Sequence, residues 1–184
     1  MAATGFWIGV ESMTSVALTE AAKHPHPVFC GRLAAENSLR AELEASGVQA
    51  EWHDVALDTP VGQGYLLDLM RQRVPIERVV WVLPPLPNAQ FGGDEATSAT
   101  LDTVLAATRE ITEGLIVMIR GAEALLQAGV GGGMTVSYDD RDEPVTPLAK
   151  GLMAFVETVV STESQRWASL GLSLTLGPVS AIEQ

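Results

Sequence analysis

One cysteine, two tyrosines, four phenylalanines and four tryptophans among 184 residues make a chain poor in sulfur and aromatic rings. The lone Cys30 cannot close an internal disulfide, and a single thiol with no Cys or His at ligand spacing suggests neither metal binding nor redox chemistry. A reducing compartment, the cytoplasm, is therefore the expected location. Positive charge is also scarce: 11 Lys and Arg face 23 Asp and Glu, for a formal net charge of -12. Nucleic-acid binding draws its affinity from basic patches that neutralise phosphates, and no Lys/Arg cluster here is long enough to form one. No apolar run approaches the roughly 18 residues of a membrane span, and Met1 to Gly5 lacks a basic start leading into an apolar stretch, so neither a membrane segment nor a leader is expected. His24, His26 and His53 lack the spacing of a tetrahedral metal site. The run Asp139-Asp140-Arg141-Asp142-Glu143 lacks the spaced ligands and glycine of a calcium loop and reads as a solvated charge run. No metal is expected.

What is present is a 47% hydrophobic chain with 17 glycines and 10 prolines, the profile of one globular domain over 1–184 that is long enough to bury a full core. Short β-branched and aromatic runs alternate with segments of helical period, which predicts right-handed crossovers feeding a parallel sheet. Strands are predicted at Phe6–Val10, Val28–Cys30, Gln49–Val55, Arg78–Leu83, Met134–Tyr138 and Leu172–Leu176. Helices are predicted from about Thr14 to Lys23, Ala35 to Ser46 with Gly47 as its C-cap residue, Val61 to Arg73, Thr97 to Ala128 and Pro147 to Ser169. The long helix carries Gly114 and Gly121, where a bend is expected. The run RVVWVL at 78–83 is apolar enough to be covered on both faces. The segment Pro84–Gly93 and the glycine-rich run Gly129–Gly133 read as connections.

Several landmarks follow this order: Gly31-Arg32 after the second strand, Asp54-Val55 after the third, Leu101-Asp102-Thr103-Val104 opening the long helix, and Lys150 in a helix leading to Leu174-Thr175-Leu176-Gly177-Pro178. Over nearly its whole length the chain resembles the short-chain dehydrogenase/reductase family, as a truncated and degenerate member. The resemblance implies an α/β Rossmann-like doubly wound parallel sheet of about six strands in the order 3-2-1-4-5-6, with helices on both faces and without the family's seventh strand.

The same resemblance exposes missing chemistry. The family's glycine-rich first turn, TGxxxGxG, reads here Gly9-Val10-Glu11-Ser12-Met13-Thr14-Ser15-Val16, which places a carboxylate where a pyrophosphate would lie. The family's NNAG after the fourth strand is replaced by Leu83-Pro84-Pro85-Leu86. Its catalytic Asn falls near Thr108, its Ser at Ser137 or Tyr138, and its Tyr-x-x-x-Lys reads Thr146-Pro147-Leu148-Ala149-Lys150. Lysine survives there without its phenol, and a threonine hydroxyl is too weak an acid to replace one. Arg32 stands where the family's basic residues receive the NADP 2′-phosphate, and Asp54 where adenine is contacted.

These features lead to a non-catalytic subunit with no bound cofactor, acting as structural or regulatory partner in a homo-oligomer or with an active short-chain dehydrogenase. The helices near 97–128 and 147–169, equivalent to the family's four-helix-bundle interface, would make the contact; Ala106, Ala107, Leu115, Met118 and Ala122 with Leu152, Phe155, Val156 and Val159 supply small and apolar surface that is first of all core, only part of it interface. One alternative is an atypical NAD(P)H-dependent oxidoreductase with a site rebuilt from Lys150, Tyr138 and Ser137. Another is the structural piece of a polyketide ketoreductase.

Overall fold

The computed structural model describes residues 3–13, 15–32, 38–45, 47–87, 98–128, 132–141, 143–144 and 146–181. The end of the expected loop at Gly92-Gly93, the start of the second helix at 35–37 and the first part of the glycine-rich run, 129–131, lie outside the described residues. In chain order the elements are β1 (Thr4–Ile8), α1 (Ser15–Ala21), β2 (Pro27–Gly31), α2 (Ser38–Ala45), β3 (Glu51–Asp54), α3 (Pro60–Arg71), β4 (Ile76–Val82), α4 (Ser98–Arg109), α5 (Leu115–Gln127), β5 (Gly133–Tyr138), α6 (Pro147–Ser169) and β6 (Ser173–Pro178). The six strands form one sheet in the order β3-β2-β1-β4-β5-β6, every pair parallel. This is the strand order the sequence reading expects.

Alternation along the strands divides the core in two. Phe6, Ile8, Val79, Trp81, Met134 and Val136 face α3, α5 and α6, where they meet Leu66, Met70, Leu115, Met118, Leu152 and Val156. Trp7, Phe29, Val80 and Val82 face the other way, onto Ala17, Leu18 and Ala21 of α1. On that second face an aromatic row runs across the strands: Phe29 stacks on Trp52 at 4.5 Å between ring centroids and tilts against Trp7 at 5.8 Å. Burial on both faces explains why β4 reads as a continuous apolar run rather than an alternating one. Each large side chain so buried contributes about 1.5–3 kcal/mol.

Helix ends obey local chemistry. Thr59 caps α3 by accepting the Gly62 N–H at 3.1 Å, and Pro60 follows at the first helical position, where its missing N–H costs nothing. Thr146 and Pro147 repeat the arrangement at α6, which runs from Pro147 to Ser169 as expected. The long helix is interrupted by a π-turn at Glu110–Gly114, so the break falls at Gly114. Gly121 lies inside regular α5 against Leu67. A π-turn leaves a carbonyl without its usual partner, and the Thr112 hydroxyl donates to Thr108 O at 2.8 Å. At Gly114 a Cβ would stand 3.1 Å from the Trp81 ring, so the turn sits close on the indole.

The first strand is shifted relative to expectation. It covers Thr4–Ile8 rather than Phe6–Val10, because Gly9 takes the left-handed conformation (φ 79) and Val10–Ser12 forms a 3-10 turn. At Gly9 a Cβ would also collide with the Val82 carbonyl, so only glycine fits. Among the described residues no helix is long and apolar enough to cross a membrane.

Candidate functional site

Strand order reverses between β1 and β4, and above the carboxyl ends of such strands open α/β sheets form their ligand crevice. Three backbone amides at this edge are already engaged in extending the ladder: Gly9 N–H donates to Cys30 O at 2.8 Å, Val55 N–H to Gly31 O at 2.9 Å, and Leu83 N–H to Ser137 O at 2.8 Å. In the turn after β1, the Glu11 carboxyl packs on Gly31, where any Cβ would collide with Glu11 Oε2. That carboxyl accepts the backbone N–H groups of Glu11 itself and of Arg32. Glu11 is exposed as a residue, but desolvation of its carboxyl against Gly31 raises its pKa above the ordinary carboxylate value; those bonds and the Arg32 charge oppose the rise, and the nearby Asp54 charge adds to it.

Arg32 is exposed and pairs with Asp58 at 2.5 Å. Asp54 is exposed at the end of β3, opposite Gly31 in the β2–β3 register. Across the crevice, Glu110 in the π-turn is only 7% exposed. Burial, then the charges of Glu11 and Asp58, push Glu110 up to about 8, with Arg32 relieving part of the effect.

The other expected residues lie at the ends of β5 and α6. Ser137 is fully buried, and its hydroxyl has no partner among the described residues. Tyr138 is half-buried and packs against the main core. Thr146 is an N-cap: its hydroxyl donates to Pro87 O and accepts from Ala149 N–H, both at 3.2 Å. Lys150 is exposed one turn into α6. Thr108 donates its hydroxyl to Val104 O at 2.7 Å, within its own helix and not toward the crevice. No hydrogen bond among the described residues joins Lys150, Tyr138 and Ser137 through their side chains. The structure thus gathers Arg32 with Glu11 and Asp58, and leaves the reductase-like remnants as separate groups.

Solved structures with the same architecture carry the comparison. A 3-oxoacyl-(acyl-carrier-protein) reductase from Agrobacterium tumefaciens C58 with NADP bound superposes with a TM-score of 0.71 at 17% identity, over 96% of this chain and 69% of that one. A metagenomic short-chain oxidoreductase in complex with NADP gives 0.71 at 13% identity, over 98% and 86%. A short-chain dehydrogenase from Sphingobium yanoikuyae in complex with NADPH gives 0.68 at 17%, over 96% and 71%. This chain has the short-chain dehydrogenase/reductase fold. No family model and no curated protein sequence matches it.

The residues present do not fit the dinucleotide of that fold. A pyrophosphate needs free amide donors at a glycine turn, and here the Glu11 carboxyl takes the Glu11 and Arg32 amides and lies on Gly31. A dianion brought to this place would meet the charges of Glu11 and Asp58, with Arg32 already paired.

Two site residues escape sequence reasoning, Asp58 and Glu110. Asp58 precedes the Thr59-Pro60 helix start and reads as turn chemistry. Glu110 stands beside Ile111 in the apolar stripe that continues through Leu115 and Met118, and a charge inside such a stripe is the one signal available. Of the apolar surface on the two late helices, Leu115, Met118, Ala122, Leu152 and Val156 are inside the chain's own core. The exposed apolar residues on α4 and α5 are Leu101, Leu105 and Ile116.

Away from the crevice, a cavity of 760 Å³ opens at the amino-terminal edge of the sheet between Pro25–Val28 and Val48–Glu51. Its charged pair, Glu51 and Arg73, is mutually satisfied. His53 joins that cluster, its ring nitrogens 3.1 Å from Tyr65 Oη and 3.3 Å from Glu51 Oε2. Among the described residues no group of three or more His, Cys, Asp or Glu is placed to hold a metal ion.

Proposed function

We propose that this chain is a non-catalytic protein of the short-chain dehydrogenase/reductase fold, a structural or regulatory subunit that associates with itself or with an active chain of the same fold. The observation that carries the reading is Glu11, whose carboxyl occupies the place and the amide donors a pyrophosphate would need. The bonded hydroxyls of Thr146 and Thr108 support it, because neither is free for proton transfer. The surface for association is the exposed row Leu101, Leu105 and Ile116, beside a 260 Å³ groove between α5 and α6 lined by Ile116, Ile119 and Val159.

Titration with NADH and NADPH, followed by nicotinamide fluorescence and calorimetry, tests the first part. No saturable signal is expected, and micromolar binding of either would overturn it. Sedimentation at micromolar concentration tests association: a monomer that also captures no active short-chain dehydrogenase from its host removes the subunit role.

The competing oxidoreductase reading has one observation in its favour, the position of Arg32 after β2 in a fold that solved structures show with NADP or NADPH bound. It requires reduction of a carbonyl substrate that falls sharply in Lys150→Ala, and unchanged turnover in that variant would reject it.

A further inference from the structure

At the outer edge of the sheet, away from the crevice, four side chains join end to end. The edge strand is β3, and Glu51 and His53, two positions apart on it, share one face. Arg73, just past the end of α3, forks onto Glu51, with its Nε and Nη2 3.0–3.3 Å from the carboxylate oxygens. Glu51 Oε2 lies 3.3 Å from His53 Nε2, and His53 Nδ1 lies 3.1 Å from the hydroxyl of Tyr65 on α3.

The order of these groups fixes where the protons lie. Burial raises the Glu51 pKa, but the hydrogen bonds from Arg73 and His53, together with their charges, outweigh it and hold the carboxyl below its ordinary value. A carboxylate only accepts, so Nε2 of the neutral His53 ring carries the proton and donates it to Glu51. Nδ1 is then the lone pair, and the Tyr65 hydroxyl donates to it. A hydroxyl bonded to an imidazole that a third group orients is the arrangement that activates a weak nucleophile. Tyr65 is 49% exposed and within reach of solutes; Val61, one turn earlier on the same helix face, is 83% exposed, and a Cβ at Gly64 would meet nothing within 4 Å. The cation of this row, Arg73, is held by Glu51, so a phosphoryl donor gains little from it. An uncharged acyl donor needs no cation, and its alkyl group meets Val61.

We propose that Tyr65 is a covalent acylation site, its phenol oxygen taking the acyl group of an activated ester with His53 as base. In that step the Tyr65 Oη–H bond and the bond from the acyl carbon to its leaving group break, and a bond from Oη to the acyl carbon forms. His53 Nδ1 takes the phenol proton and returns it to the leaving group, and nothing is oxidised or reduced. Glu51 is a positioning residue that holds the tautomer and the ring of His53, and Arg73 in turn holds Glu51. One acyl group per chain is a modification and not turnover, so the site stands beside the non-catalytic reading and does not depend on it.

The probe is p-nitrophenyl acetate, mixed with the whole chain at neutral pH; release of p-nitrophenolate is followed by absorbance, and the acetylated residue is located by peptide mass spectrometry. The expected result is a burst of about one equivalent per chain, with the acetyl group on Tyr65 and removable by hydroxylamine, as an aryl ester is and a lysine amide is not. Acetylation of Tyr65 should outpace that of Nα-acetyl-tyrosine amide at least about tenfold. Tyr138, the chain's other tyrosine, is half-buried and should stay unlabelled. Tyr65→Phe should abolish the burst. His53→Gln should slow the labelling of Tyr65 at least about tenfold, and Glu51→Gln should slow it several-fold, while the exposed Lys150 is acetylated at its wild-type rate in both. Glu51→Gln also carries the test should His53→Gln fold poorly. Labelling of Tyr65 no faster than that of the free tyrosine amide overturns the proposal, as does labelling that neither variant slows or a burst that survives Tyr65→Phe. Binding of NADPH would overturn the non-catalytic reading and leave this proposal standing, so the two fail separately.

Discussion

Replacing Glu110 with glutamine keeps its volume and removes its titration. In the folded chain burial, aided by Glu11 and Asp58, holds Glu110 up to about 8, against an ordinary value of 4.5 once the chain unfolds. Between those values the native state binds more protons than the unfolded state, so stability falls as pH rises and the loss is complete above about 8. At about 1.4 kcal/mol per pH unit the whole span sets an upper limit of about 5 kcal/mol. Water reaching the exposed Arg32 and Glu11 side of the crevice reduces the expected loss to about 2–3 kcal/mol. Urea unfolding of the wild-type chain and Glu110→Gln at intervals between about pH 5 and 9 isolates the effect, because the groups common to both cancel in the difference. The variant should gain on the wild type as pH rises to about 8 and hold that advantage above it. A difference that stays constant with pH would refute the reasoning, since it would mean that Glu110 titrates as a solvated carboxyl and the crevice is not desolvated.

Three further outcomes follow from local geometry. Thr146→Val removes the α6 cap and the bond to Pro87 O and should cost about 1–2 kcal/mol in urea unfolding, whereas Thr146→Ser should recover most of it. Gly31→Ala drives a methyl into the Glu11 carboxyl and should cost about 1–3 kcal/mol; a double-mutant cycle should return a large part of that in the Glu11→Ala background, and strict additivity would show that the carboxyl does not lie there. Cys30 is fully buried, and burial pushes its thiol well above the ordinary range; its reaction with a disulfide reagent should therefore track global unfolding, and fast modification of the native chain would contradict the packing.

The candidate site was legible in proportion to how local its causes are. Glu11 could be singled out because a glycine pattern failed at a known place, and Thr146 because a phenol was missing four residues before Lys150. That Thr146 is a cap follows from its neighbours Pro147 and Ala149, which is chain-local chemistry. Glu110 could not be read in the same way. Its burial depends on a π-turn that rotates the helix by one residue, and its pKa depends on Glu11, 99 positions earlier in the chain. Which part of the late-helix stripe is core was not legible residue by residue: Leu115, Met118 and Ala122 are apolar at helical spacing, and spacing does not say whether each faces its own sheet or another molecule.

By itself the sequence determined the alternation of elements and the parallel sheet, because unbroken apolar runs such as 78–83 and helical stripes between them leave few packings that bury both, while the strand order was what the family resemblance implied. It also determined the helix ends at Thr59-Pro60 and Thr146-Pro147, where a hydroxyl and a proline act within one turn. Tertiary structure alone decided where charge collects. Strand ends far apart in sequence converge at the point where β1 and β4 diverge, and there the burial of one carboxyl beside another sets energies that no window of neighbouring residues contains.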